Sequence, residues 1–307
     1  MTTPLLIDAD SGSDDAVALA LVTTHAAVDL RAVVAAGCAA SPDDAVADLL
    51  RLLSLVPPPR PVLIGRGREP ARSPAGSGQA RGIKAPATTA PAKSPHHVQD
   101  LLEVYRQAVE GSNRELTVLT TGPLTNLAAL LREAPDLAGG LRQVVVTGGS
   151  VWAKGGVGEP AETTFVRDPE AANFVLRSGL PLTVVPRDVT NYVLLDESHV
   201  ARLAAAQRGP GPVLARLLRP ALESDSAPGY GKVHLPAAVA AAGLLWPKLF
   251  VRTRMRLEVS PTGRDAGRCR PALGGDPALQ VNLLTAVSAV DLVENMLECL
   301  CGESFVV

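Results

Sequence analysis

Short apolar segments alternate with longer amphipathic segments along most of this chain of 307 residues. The apolar segments predict strands, and the segments that follow them predict helices. The predicted strands are 4–7, 30–36, 116–120, 144–147 and 182–185, and the predicted helices are 14–22, 42–55, 124–132, 169–177, 199–206 and 283–300. This alternation indicates an α/β fold with a mostly parallel central sheet and helices on both faces. Ligands of such sheets bind beyond the carboxyl ends of the strands.

Residues 57–95 interrupt the alternation with a stretch rich in Pro, Gly, Ser and Ala. A loop of this length inside a compact domain is either functional or without structure of its own. Both a lid over the site and an unstructured insertion therefore remain open. No internal repeat or interdomain linker is evident, so we expect residues 1–307 to form a single domain.

Composition and charge limit the classes of partner that we expect the protein to bind. Hydrophobic residues make up 47% of the chain and the formal net charge is only -2, which gives no basic footprint for nucleic acid. The N-terminus does not resemble a signal peptide, and no apolar segment is long enough to cross a bilayer. The four cysteines (Cys38, Cys269, Cys299 and Cys301) include no metal-type C-x-x-C pair. We expect a cytoplasmic protein that acts on a small molecule, without a nucleic-acid or membrane partner.

An acidic turn follows the first predicted strand and carries Asp8, Asp10, Asp14 and Asp15. Carboxylates this close repel one another unless a cation or shared protons neutralise them. Capping of the next helix explains Asp14 and Asp15 but leaves Asp8 and Asp10 unexplained. A site for a metal or a sugar is the better interpretation, and oxygen ligands of this kind suit Ca²⁺ or Mg²⁺.

Six segments along the chain carry a family resemblance. They are L-I-D-A-D-S-G-S-D-D-A-V-A-L (6–19), T-G-P-L-T-N-L-A (121–128), V-V-T-G-G (145–149), A-E-T-T followed by D-P-E-A-A (161–172), V-P-R-D-V-T (185–190) and H-L-P-A-A-V (234–239). In this order they resemble the motifs of inosine–uridine-type nucleoside hydrolases, whose first motif is usually D-T-D-P-G-x-D-D-A-x-A-L. The resemblance covers most of the chain.

The resemblance implies hydrolysis of the N-glycosidic bond of a nucleoside or a similar compound by a metal-activated water. Ca²⁺ would be held by Asp10, Asp15 and the main-chain carbonyl of Thr121. Asp10 would accept the proton of the attacking water, and His234 would protonate the leaving base. By the same resemblance, Asp14 would bind a sugar hydroxyl and Glu162 would bind the 5′-hydroxyl. Thr164 and Cys38 occupy the family's other sugar-binding positions. Family members are often dimers or tetramers, so we expect a homodimer or homotetramer.

Several positions depart from the family pattern. Leu235 stands where the family has an aspartate that binds Ca²⁺ and the sugar, while Cys38 and Thr164 replace asparagines. Loss of a carboxylate lowers the ligand count on which affinity for a hard cation depends. The family's loop histidine is also missing near 78–82, and Glu223, Asp225 or Tyr230 are possible compensating residues.

These departures leave two other hypotheses open. The chain is then a repurposed enzyme of specialised metabolism that uses Asp10, Asp14 and Asp15 on another substrate, with altered or absent Ca²⁺ binding. Alternatively it is a non-catalytic ligand-binding protein that keeps the scaffold. A haloacid-dehalogenase phosphatase with Asp8 as nucleophile is disfavoured, because Gly12 stands where that family has Thr or Val.

Overall fold

A computed structural model describes residues 2–36, 41–70, 97–153, 161–223 and 231–303 of the chain. The strands are β1 (Thr3–Ala9), β2 (Val28–Ala35), β3 (Leu63–Arg66), β4 (Val98–Asp100), β5 (Leu116–Thr120), β6 (Leu141–Thr147), β7 (Leu182–Val185), β8 (Leu194–Asp196), β9 (Lys232–His234), β10 (Phe250–Val259), β11 (Cys269–Ala272) and β12 (Val281–Val287). The helices are α1 (Ser13–Thr24), α2 (Pro42–Leu55), α3 (Leu101–Gly111), α4 (Thr125–Glu133), α5 (Pro135–Ala138), α6 (Thr163–Arg167), α7 (Pro169–Leu176), α8 (Arg187–Thr190), α9 (Glu197–Ala205), α10 (Gly211–Leu222), α11 (Pro236–Leu245) and α12 (Ala289–Cys301).

Ten of the strands form one sheet in the order β11-β10-β12-β7-β6-β5-β1-β2-β3-β4. All neighbours from β12 to β4 are parallel, and only β10 pairs antiparallel, with β11 on one side and β12 on the other. Strands β8 and β9 form a separate antiparallel pair. The predicted α/β class with a mostly parallel sheet is confirmed.

The sheet separates two apolar cores. Alternate residues of β1 point to opposite faces, so that Leu5 and Ile7 join one core while Leu6 joins the other. Helices α1, α2 and α9 to α12 cover the first core, and α3, α4, α5 and α7 cover the second. Helices on both faces explain why the central strands read as continuous apolar runs. Within the described ranges, no helix has the length and apolar character needed to cross a bilayer.

Two predicted elements need correction. The predicted helix 283–300 is wrong over its first part, because residues Val281–Val287 form β12 and the helix begins only at Ala289. A short apolar run is compatible with a buried strand as well as with a helix, and pairing with β7 and β10 decides for the strand. The predicted loop 57–95 contains β3, a strand of the main sheet. Residues 71–96, which hold most of the predicted lid, lie outside the described residues.

The order of the strands locates a crevice. The chain adds β2, β3 and β4 on one side of β1, and then adds β5, β6 and β7 on the other side. The direction of winding therefore reverses between β1 and β5, and such a switch point opens a crevice at the carboxyl ends of the two strands. The acidic turn follows β1 at this point, and Thr121 follows β5.

Candidate active site

The acidic turn is held by the side chain of Asp15, which folds back onto it. The backbone N–H of Gly12 donates to Asp15 Oδ2 at 3.0 Å, and that of Asp10 donates to Oδ1 at 3.3 Å. Ser11 has φ 61°, a left-handed conformation that a proline cannot adopt, although the family motif has proline there. A Cβ atom on Gly12 would lie 2.7 Å from Asp14 Oδ1, so a larger residue would displace this carboxylate from its place beside the turn.

Thr121 joins the end of β5 to this turn. Its backbone N–H donates to the carbonyl of Asp8 at 2.9 Å, and its hydroxyl donates to Asp15 Oδ1. The next residue is Gly122, where a Cβ atom would lie 2.6 Å from Ala36 Cβ. The close approach of this loop to the end of β2 therefore requires glycine. The structure brings Asp10, Asp15 and Thr121 together, as the sequence predicts.

Asp8 lies beneath the turn, with 0% of its surface exposed. Its Oδ1 accepts a hydrogen bond from Asn126 Nδ2 at 2.7 Å, while its Oδ2 is buried and has no hydrogen-bond partner among the described residues. Burial raises the pKa of Asp8 to about 7, against the lowering effect of the Asn126 hydrogen bond. Asn126 also accepts from the backbone N–H of Arg68 at 2.6 Å, which ties Asp8 to the segment after β3.

The other carboxylates of the turn also affect one another. Burial raises the pKa of Asp15 well above its ordinary value, and the negative charges of Asp14 and Asp10 raise it further. Hydrogen bonds from Thr121 and Gly12 oppose this rise. Burial and mutual repulsion therefore disfavour the ionised form of Asp15, and perturbed carboxyl groups of this kind are typical of a functional site.

Asp14 connects the acidic turn to the start of α11. Its Oδ2 accepts from the backbone N–H of Ala237 at 3.3 Å, in the first turn of that helix. Leu235 is the residue before α11 and is 1% exposed, and its side chain offers no cap. His234 precedes it, and its Nε2 lies 3.1 Å from the hydroxyl of the buried Thr190. The predicted proton donor His234 therefore lies two residues before α11, the helix that Asp14 contacts.

Glu162 and Thr164 lie at the start of α6. The carboxylate of Glu162 accepts from the backbone N–H groups of Thr164 and Gly149, both at 3.0 Å, and from that of Phe165 at 3.4 Å. The hydroxyl of Thr164 donates to the same carboxylate at 3.0 Å. Four donors fill the acceptor capacity of a carboxylate. In this arrangement Glu162 fixes α6 against the end of β6.

Arg167, the last residue of α6, reaches the acidic turn. Its Nη1 lies 3.4 Å from both Oδ1 and Oδ2 of Asp10. Arg167 directly precedes the D-P-E-A-A segment, and its contact with Asp10 was not predicted from the sequence. Asn126 belongs to the T-G-P-L-T-N-L-A motif, but its contact with Asp8 was not predicted either. Cys38, Asp225, Tyr230 and residues 78–82 lie outside the described residues, and Glu223 follows the end of α10.

Comparison with known proteins identifies the family. The family model for inosine-uridine preferring nucleoside hydrolase matches residues 5–292. The chain belongs to this family. It is 31% identical over 260 residues to a pyrimidine-specific ribonucleoside hydrolase, RihA, of Shewanella sp. (strain MR-7), with 81% of this chain and 80% of the relative covered. It is 28% identical to the RihA of Salmonella schwarzengrund, with 86% of each chain covered.

Solved structures agree on the fold. A plant nucleoside hydrolase superposes with a TM-score of 0.86 at 22% identity, covering 98% of this chain and 99% of its own. A purine-preferring ribonucleoside hydrolase from Gardnerella vaginalis gives a TM-score of 0.83 at 24% identity, covering 97% and 98%. Membership of a nucleoside hydrolase family favours hydrolysis of N-glycosidic bonds over a repurposed or non-catalytic protein.

Nucleoside hydrolases of this family are generally metal-dependent. The oxygen atoms of the described residues do not fit a hard cation, which takes six to eight oxygen ligands. Both oxygens of Asp10 face Arg167, both oxygens of Asp15 accept hydrogen bonds from the turn and Thr121, and Leu235 supplies none. Among the described residues, no group of three or more His, Cys, Asp or Glu side chains is placed to share a metal. The predicted Ca²⁺ ligands therefore lie together but are engaged with other partners.

Proposed function

We propose that this nucleoside hydrolase cleaves the N-glycosidic bond of a ribonucleoside in the crevice between β1 and β5, with Asp10 as the general base. The observation that carries the proposal is the convergence of the acidic turn and Thr121 at the switch point of the sheet. Pyrimidine ribonucleosides are the first candidates, because the relatives that share 31% and 28% identity are named as pyrimidine-specific.

The reaction adds water to the anomeric carbon as the bond to the base nitrogen breaks. The carboxylate of Asp10 takes a proton from the water, and the electron pair of the broken bond leaves with the base, through an oxocarbenium-like state. His234 supplies a proton to the departing base, and its contact with the Thr190 hydroxyl fixes the orientation of its ring. These roles of Asp10 and His234 do not depend on Ca²⁺, which the oxygen atoms of the described residues do not favour.

The other substrate contacts are part of the same proposal. Asp14 binds a sugar hydroxyl from the start of α1. Glu162 and Thr164 are hydrogen-bonded to each other at the start of α6, and we propose that they act on the 5′ side of the sugar by holding α6 in position. Cys38 stays a prediction, because it lies outside the described residues.

Location and assembly complete the proposal. We propose a cytoplasmic homodimer or homotetramer that recognises neither nucleic acid nor membranes. Cys269, Cys299 and Cys301 are free and buried, which suits a reducing compartment. The formal net charge of -2 gives no attraction for polyanions.

Release of free base from uridine, cytidine and inosine, followed by liquid chromatography, tests the proposal. We expect base release from at least one of them, and Asp10→Asn to lower kcat/KM by about 100-fold to 10,000-fold, the usual worth of a general base. Asp265→Asn is the matched control, because Asp265 pairs with Arg268 and Arg270 near β11 at the edge of the sheet. Absence of hydrolysis of all three nucleosides, or equal loss in both variants, would refute the proposal.

A further inference from the structure

Arg167 and Asp10 form a partly buried ion pair inside the candidate active site. The side chain of Arg167 is 16% exposed and that of Asp10 is 32% exposed. The guanidinium nitrogen lies at the same distance from both carboxylate oxygens, so it faces the carboxylate as a whole. Arg167 therefore places a permanent positive charge on the residue proposed as general base, because an arginine side chain does not lose its proton in proteins.

The position of Arg167 is fixed by the packing of α6. Phe165 is fully buried against Gly148 and Gly149, where Cβ atoms would lie 2.8 Å and 2.7 Å from its ring. On the other side, a Cβ atom on Gly267 would lie 2.7 Å from the Cα of Val166. The two residues before Arg167 are thus held by backbone on both sides.

The residue after Arg167 is anchored as well. Asp168 caps α7 by accepting from the backbone N–H of Ala171 at 3.0 Å, and it accepts from the hydroxyl of Thr125 at 2.7 Å. Because hydrogen bonds of Glu162 and Asp168 hold the two ends of α6, the backbone keeps Arg167 directed toward the acidic turn. The ion pair is a consequence of the fold of this segment.

The opposite side of the site is also less negative than the family pattern predicts. Leu235 replaces an aspartate of the family pattern, and it is buried at the start of α11. Asp14, the carboxylate nearest to this point, binds the helix through Ala237. One negative charge is absent where the family motif has it, and one positive charge stands at Asp10. Both features lower the attraction of the site for a divalent cation.

We propose that Arg167 takes the place of the divalent cation beside Asp10, so that this enzyme orients its attacking water with the Asp10–Arg167 pair and does not use calcium. This inference rests on the proposed function. Arg167 stays protonated throughout: its N–H groups donate to Asp10 and to the oxygen of water or of a sugar hydroxyl, while the proton of the water goes to Asp10. No oxidant, metal or other co-reactant is required.

The first test measures calcium directly, on the wild-type protein purified with and without EDTA. We expect no calcium by elemental analysis, titration calorimetry that gives a Kd weaker than about 1 mM, and an unchanged kcat/KM in EDTA. One equivalent of tightly bound calcium, or loss of base release in EDTA that calcium restores, would overturn the proposal. These measurements need no variant and so do not depend on a mutant that folds.

The second test uses Arg167→Met, with Arg167→Lys as the conservative variant and Arg177→Gln as the control at the end of α7. Arg167→Met removes the positive charge beside Asp10, which should lower kcat/KM by about 100-fold and tighten calcium binding by at least about tenfold. Arg167→Lys keeps a positive charge there, so it should exclude calcium and restore part of the rate. A merely structural role for Arg167 would leave calcium affinity unchanged. Equal calcium binding by wild type and Arg167→Met would therefore overturn the proposal.

The two proposals fail in different ways. If no nucleoside is hydrolysed, the proposed function fails, and calorimetry with calcium still decides whether Arg167 excludes the cation. If nucleosides are hydrolysed only with calcium, the proposed function stands and the inference on Arg167 fails. Adding Leu235→Asp to Arg167→Met restores the family's carboxylate and should tighten calcium binding beyond that of the single variant.

Discussion

Replacing Asp8 by asparagine should change how the stability of the protein depends on pH. Asp8 is buried, and its pKa is raised from 3.8 to about 7, chiefly by burial. A carboxyl group with a raised pKa favours folding while it is protonated, and this contribution is lost as the pH rises from about 4 through about 7. A shift of about three pKa units corresponds to about 4 kcal/mol of unfolding free energy, at 1.36 kcal/mol for each unit.

The asparagine side chain has nearly the same shape as that of aspartic acid, but it does not ionise in this pH range. Wild type and Asp8→Asn should therefore have similar stability near pH 4, while the variant should be more stable by up to about 4 kcal/mol near pH 8. Asp15 also has a raised pKa, and it contributes a loss of stability with pH in the same direction to both proteins. The difference between the two proteins isolates Asp8.

Urea unfolding followed by circular dichroism, in EDTA and at several pH values from 4 to 8.5, measures this difference. Asp265→Asn is the control, because that side chain lies in an exposed ion pair. A difference that stays constant with pH would refute the reasoning. So would an asparagine variant less stable than wild type at pH 8, because the carboxylate of Asp8 would then be ionised and stabilised in the folded protein.

Two further predictions concern the backbone and the hydrogen bonds of the site. Ser11→Gly should raise the unfolding free energy by about 1 kcal/mol, since a left-handed conformation costs serine about 1–2 kcal/mol. Ser11→Pro should lower it, because proline fixes φ near −65°; urea unfolding measures both, and a proline variant as stable as wild type would contradict this conformation. Asn126→Leu should cost about 2–4 kcal/mol in the same assay, because it leaves Asp8 Oδ1 and the N–H of Arg68 without their partner. A loss below about 1 kcal/mol would show that other groups or water replace the amide.

The sequence predicted best those elements whose apolar runs are bounded by turn residues. The bounds of β5 and β7 agree with the predicted 116–120 and 182–185, and α2 agrees with 42–55, where Ser41 caps a helix that begins with Pro42. The hairpin of β10 and β11 was not predicted, although Arg252 to Val259 alternates charged residues with Thr, Met, Leu and Val. That period of two is typical of a strand and was the available signal.

The candidate site was predictable only where its parts lie close in the sequence or belong to a recognised motif at the end of a predicted strand. The acidic turn is one continuous segment, and Thr121 begins a motif that follows β5, the strand that pairs with β1. The contact of Asn126 with Asp8 spans 118 residues, and that of Arg167 with Asp10 spans 157. Nothing in the local pattern around Arg167 shows the direction of its side chain, which depends on Phe165 packing against Gly148 and Gly149.

The charges around Asp10 offer a common explanation for the departures from the family pattern. Leu235 alone suggests a damaged metal site, because one carboxylate is missing. Arg167 alone would be expected to compete with a metal, since it faces both oxygens of Asp10. Together they make the site less negative, while Asp14, Asp15 and one oxygen of Asp8 each keep a hydrogen bond that holds them in place. A site that was merely losing its function would not be expected to keep a guanidinium facing its central carboxylate, so the balance favours an altered catalytic arrangement over a decaying one.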